Sequence, residues 1–167
     1  MVKLDQLDID ILTVLQEDGR ISNRRLAARV GLSASACLAR VRRLEKSKVI
    51  RAYHGRIDVA RLAPSIQCVA LIKLDHHGSG AFARFSSAMR RQSEVVECLM
   101  LSGQYDFMLK VICRDIARYN ELNDQLLALG VGIESVSSYI VMEETKLFAG
   151  VPLDALITAS TITDDAS

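Results

Sequence analysis

Ser22 and Ser33 bracket the segment that most constrains this chain. Each serine precedes a helix-favouring run that its hydroxyl can cap. Gly31 between them supplies a left-handed stop for the first run. A short helix over 23–30 with Leu26, Ala27 and Val30 inward, a tight glycine turn and a second capped helix form a helix-turn-helix pattern. In the later helix Cys37, Val41 and Leu44 share one face, and Ser35, Ala36, Ala39, Arg40, Arg42 and Arg43 fall on the other sides. Upstream, Asp5 can cap a helix with Asp8 three positions on, Leu7, Ile11 and Leu15 recur on one face, and Gly19 is placed to end it in the left-handed region. Residues 49–58 alternate around Gly55, which suits a two-stranded wing or a linker strand.

The net charge of +1 conceals a division. Residues 1–60 hold 12 Lys/Arg against 7 Asp/Glu, a net of +5, and the remaining 107 residues carry a net of −4. Between residues 20 and 56 there are 11 basic residues and a single acid, Glu45. That asymmetry fits a small polyanion-binding module joined to a neutral or acidic one. A DNA major groove admits a helix whose N-terminal half reaches base edges. Ser33, Ser35, Ala36 and Ala39 are small enough for close approach, and Arg40 or Arg43 can offer a bidentate fork to guanine. Arg24, Arg25, Arg42 and Lys46 are placed for phosphates, which set affinity and register. Double-stranded DNA is the expected partner.

The second half alternates strand and helix patterns. A strand over 66–75 is broken at 77–80, and a helix over 81–91 carries Phe82, Phe85 and Met89 on one face. Strands over 95–101 and 105–113 flank Ser102, Gly103 and Gln104, a hairpin signal. Asp115 can cap a helix with Ile116, Tyr119, Leu122 and Leu126 inward, and a last strand runs over 133–142. The order βαββαβ is ferredoxin-like. In the first strand Cys68, Ala70 and Ile72 point one way, and Val69 and Leu71 the other. Two helices cover one face, so the second apolar face calls for another layer, most simply a second copy of the chain. The fold class is therefore α+β: an N-terminal winged helix-turn-helix over 1–55, a linker over 56–65, a ferredoxin-like sandwich domain over 66–146 for dimerisation and effector binding, and a tail over 147–167 that frays or packs on a neighbour.

Catalysis finds no support. His54, His76 and His77 lack metal-helix spacing, and no phosphate-binding or nucleophile-elbow motif occurs. No catalytic residue, metal or cofactor is expected, and the chain reads as a non-enzyme. Cys37, Cys68, Cys98 and Cys113 lie in apolar segments without a Cys-x-x-Cys spacing, as reduced core thiols of a cytoplasmic protein do. The longest apolar run, 68–72, is far short of the roughly 20 residues a membrane span needs. The N-terminus lacks the apolar region of a secretory signal.

Several ordered motifs together resemble the leucine-responsive/asparagine regulator (Lrp/AsnC) family. They are Asp18-Gly19-Arg20-Ile21-Ser22-Asn23, Val30-Gly31-Leu32-Ser33, Cys37-Leu38-x-Arg40-Val41-Arg42-Arg43-Leu44-Glu45, Ser102-Gly103-x-Tyr105-Asp106 and Val141-Met142-Glu143-Glu144. The resemblance runs from about residue 4 to 146. It implies a transcription regulator that dimerises, commonly assembles into octamers and takes amino acids as effectors. It also implies an effector site between dimers: Gly103, Gln104, Tyr105 and Asp106 from one chain, with Glu134, Ser135 and Ser137 (in the stretch 135–138) from a neighbour. Backbone N–H groups at the turn would hold a carboxylate, and acidic side chains an ammonium group. Glu134 stands where amides are common in the family. An architectural protein that wraps DNA with little effector control is the alternative.

Overall fold

Asp5 opens the first helix, α1 (Gln6–Glu17), through a reciprocal cap. Its carboxylate accepts the Asp8 N–H at 2.9 Å, and Asp8 accepts the Asp5 N–H at 3.1 Å. The two serines act as the sequence requires. Ser22 Oγ accepts from Arg25 N–H at the start of α2 (Asn23–Arg29), and Ser33 Oγ from Ala36 N–H at the start of α3 (Ala34–Lys46). Gly31 turns between them at φ +69°. Ile9, Ile11, Val14, Leu26, Ala27, Val30, Cys37 and Leu44 form the core of this unit. Leu7 is only half-buried, because the inward face of α1 is centred on Ile11 and flanked by Asp8 and Val14.

Three local expectations are corrected. Gly19 is not left-handed; α1 ends at Asp18, whose N–H reaches the Val14 carbonyl. The left-handed residue nobody would pick from composition is Lys48, at φ +62°, where the chain closes α3 by an Ile50 N–H to Leu44 carbonyl bond. Residues 49–58 contain no strand among the described residues. Instead Tyr53 donates its hydroxyl to Glu45 at 3.0 Å, holding the segment to α3, and a single 3₁₀ turn (Val59–Arg61) follows.

The computed structural model describes residues 2–157, which fall into two units. One runs to Arg56 and resumes at Lys146; the other is Ile57–Thr145. The resumed segment packs on its own helical unit rather than fraying. Leu153 and Ile157, at the short helix α6 (Leu153–Leu156), join the helical core, and the Gln16 amide bonds both backbone groups of Val151. The rest of the expected tail, 158–167, lies outside the described residues.

The second unit is a four-stranded antiparallel sheet in the order β2-β3-β1-β4, with the ferredoxin-like sequence β1 (Ile66–Leu74), α4 (Ser79–Met89), β2 (Val95–Met100), β3 (Phe107–Cys113), α5 (Ile116–Ala128) and β4 (Ile133–Ile140). Cys68, Ala70, Ile72 and Leu74 of β1 lie buried under Phe85 and Met89 of α4 and Tyr119, Leu122 and Leu126 of α5. Phe107 is the centre of this core, with ring centroids 4.4 Å from Phe85 and 5.8 Å from Phe82. Ile116 is 52% exposed, contrary to the periodicity, because it stands at the first position of α5 beyond the sheet's edge. On the opposite sheet face Val69, Leu71 and Met108 remain half-buried and Leu99 and Tyr139 exposed. The four thiols are free, and burial pushes their pKa values up. No helix among the described residues is long and apolar enough to cross a membrane.

Candidate functional site

The helix-turn-helix is locked at its turn. Asn23 Nδ2 donates to the Ala34 carbonyl at 2.7 Å, fixing the start of α2 to the start of α3. Three stripes then run along α3. Cys37, Val41 and Leu44 face the core. Ser35, Ala39, Arg42 and Lys46, at i, i+4, i+7 and i+11, are all exposed. Between these stripes lie Ala36, Arg40 and Arg43, which line an open groove of about 480 Å³ with Lys3, Asp5 and Asp8 of the α1 end. Ser33 is held locally by its cap and by Ser35 Oγ at 3.2 Å. Arg24, Arg25, Arg42 and Lys46 are exposed and, among the described residues, have no carboxylate partner.

Arg40 and Arg43 differ from the sequence expectation. Arg40 Nη1 donates to Asp5 Oδ2 at 2.6 Å and Asp8 Oδ1 at 3.0 Å, and Arg43 Nη2 donates to Asp8 Oδ2. Neither guanidinium is a free fork, since α1 carboxylates already hold both. Asp8 itself is 0% exposed. Burial pushes its carboxyl pKa up, but the hydrogen bonds from Arg43, the Asp5 backbone and Arg40 outweigh that and hold it below the ordinary value. Asp8 was missed in the sequence, although it lies on the stripe of Leu4, Ile11 and Leu15, and an acid on an apolar stripe is the signal of a buried, paired charge.

At the other candidate site, the β2–β3 turn meets the end of β1. Gly103 has φ +136° and Ser102, Gly103 and Gln104 are exposed. Asp106 is buried and its carboxylate is engaged on both oxygens: Oδ2 accepts the Leu74 N–H at 2.7 Å, and His77 Nε2 lies 3.2 Å from Oδ1. Its job is to tie the turn to β1, and an ammonium ion would have to displace His77 to reach it. Tyr105 Oη lies 3.4 Å from Ser137 Oγ of the same chain, so turn and last strand meet without a neighbour. Ser135 pairs with Lys73 and Ser137 with Leu71, which puts both serines on the open sheet face. Ser138 is on the covered face, bonded to Tyr119, and is no part of the site. Lys73, missed earlier, reaches Glu134 Oε1 at 3.0 Å. The only charge in a nine-residue apolar strand was its sequence signal. His77 was likewise passed over as a surface turn.

Gly103 gives a direct check on the turn. No atom lies within 4 Å of where its Cβ would be, so a side chain there has room but the wrong backbone conformation. Gly103→Val is expected to cost about 1–3 kcal/mol in urea unfolding. Gly55→Val, at another open position without a positive φ, is the control and is expected to change little.

The comparisons with known proteins agree with both units. A family profile described as winged helix-turn-helix DNA-binding matches residues 4–51, and one described as Lrp/AsnC ligand binding domain matches residues 67–150. The leucine-responsive regulatory protein of Klebsiella pneumoniae is 39% identical over 143 residues, covering 86% of this chain and 87% of that protein. The crystal structure of an AsnC family transcriptional regulator from Agrobacterium tumefaciens superposes with a TM-score of 0.84 at 33% identity, covering 92% of this chain and 99% of that one. A transcriptional regulator from Neisseria meningitidis in complex with L-Met gives a TM-score of 0.84 at 31% identity with the same coverage. With an α2–turn–α3 reading module and a βαββαβ ligand-binding unit, this chain belongs to the Lrp/AsnC family of DNA-binding transcription regulators.

Proposed function

We propose that this chain binds DNA sequence-specifically in the cytoplasm and that its DNA binding or assembly responds to an α-amino acid or a related small zwitterion. The observation that carries this is the Lys73–Glu134 pair, 40% and 47% exposed, beside a turn with outward backbone groups. An exposed ion pair contributes little by itself. A zwitterion inserted there replaces one pair by two, its carboxylate on Lys73 and its ammonium on Glu134, with Tyr105, Ser135, Ser137 and the N–H groups of Gly103 and Gln104 around it. Asp106 holds the turn in place. The L-Met complex of the Neisseria regulator supports this choice of ligand class. Ser33, Ser35, Ala36 and Ala39 approach the bases, and Arg24, Arg25, Arg42 and Lys46 supply the charge facing DNA. A second copy on the open face around Val69, Leu71 and Met108 completes a homodimer, and dimers build a higher oligomer, an octamer by the family pattern. Nothing favours the architectural alternative.

The test begins with duplexes selected by the full chain from a random pool. Their affinity is measured at fixed salt with each of the twenty amino acids, with sedimentation in parallel. An effector is expected to shift affinity about 5- to 150-fold or to change the assembly. Lys73→Met and Glu134→Gln should abolish that response and leave effector-free DNA affinity intact. If no amino acid moves either measurement, the response is refuted while DNA binding stands.

A further inference from the structure

We propose that Asp8 is a positioning residue for DNA reading: it sets the rotation of α3, so that Arg42, rather than Arg40 or Arg43, is the guanidinium presented to the bases. The inference rests on sequence-specific binding by α3. Asp8 divides its two oxygens between arginines one helical turn apart, Arg40 on Oδ1 and Arg43 on Oδ2. Asp5 joins through Arg40 and through the reciprocal cap, so one network contains the first turn of α1 and the middle of α3. Arg43 also donates to the Lys3 carbonyl at 3.4 Å, which adds the segment before the helix.

A buried carboxylate with two guanidinium partners is poor evidence for net stability, since desolvation offsets most of the attraction. What such a network does supply is geometry. Apolar contacts along Cys37, Val41 and Leu44 tolerate a few degrees of rotation, whereas hydrogen bonds to two fixed oxygens do not. With Arg40 and Arg43 turned toward α1, the stripe Ser35, Ala39, Arg42 and Lys46 faces outward. Three small or polar positions and one unpaired arginine then form the reading surface, and a small error in rotation moves a side-chain tip by more than a bidentate contact allows. Phosphate contacts from Arg24, Arg25 and Lys46 are long, flexible and insensitive to that rotation.

The test uses the full chain, its selected duplex and a scrambled duplex of equal length, over a salt series. Wild type, Asp8→Asn and Arg42→Ala are compared under conditions where urea curves show each fully folded. Asp8→Asn is expected to lower the ratio of selected to scrambled affinity about tenfold or more, with scrambled binding and its salt slope unchanged. Arg42→Ala should lower the ratio at one base position. A purely structural role for Asp8 would scale both duplexes together, and an unchanged ratio overturns the proposal. Should Asp8→Asn fail to fold, Arg43→Gln removes one arm of the network at a half-exposed residue, and the same ratio decides. A wild-type ratio near one refutes sequence-specific reading itself, whereas a large wild-type ratio unmoved by these variants refutes only the role of Asp8.

Discussion

Asp8→Ala is expected to destabilise the helical unit by about 3–5 kcal/mol, the usual consequence of removing one member of a buried ion network. The substitution leaves Arg40 facing Asp5 alone and strips Arg43 of its carboxylate, and it deletes half of the reciprocal cap on α1. The chain has no tryptophan, so amide exchange resolved by segment is the suitable measurement. Faster exchange in α1 and α3 with the sheet unit unchanged would confirm the loss as local. The same residue makes the unit acid-sensitive. Its carboxyl pKa in the folded protein lies below the ordinary aspartate value of 3.8. The stabilisation is therefore fully present above about pH 4 and is lost as pH falls through the depressed value. Asp8→Asn should flatten that acid limb; an equally steep limb in the variant would assign the acid sensitivity to other carboxylates.

Phe107→Ala is expected to cost the sheet unit about 3–5 kcal/mol. Phe107 is the first residue of β3, directly after Asp106, and lies at the centre of the Phe82–Phe85 cluster. Truncation leaves a cavity that the neighbouring strands cannot close, because Ile72 is held opposite by the ladder. The turn carrying Gly103 and Tyr105 should loosen with it. Three of the four tyrosines, Tyr105, Tyr119 and Tyr139, belong to this unit, so tyrosine fluorescence during urea unfolding reports it preferentially. Phe107→Leu, which keeps most of the volume, should recover much of the loss. An Ala variant as stable as wild type would mean that Phe107 is not the packing centre.

What the sequence by itself determined is what neighbours within a helical turn decide. Asp5, Ser22, Ser33 and Asp115 cap their helices because each accepts an N–H from three residues on, and Gly31 turns because it has no Cβ. The βαββαβ order and the apolar faces of β1 likewise follow from short-range periodicity. Tertiary structure alone decided which charges are paired. Arg40 and Arg43 meet Asp8 across 32 and 35 residues, and Lys73 meets Glu134 across 61. It also decided that Asp106 is anchored by Leu74 and His77, that Tyr105 and Ser137 share one chain's sheet end, and that residues 49–58 find Glu45 rather than a partner strand. The physical reason is one of range. A cap or a turn completes its hydrogen bonds within its own segment. A long charged side chain has several partners within reach, and packing decides which of them it meets in the absence of water.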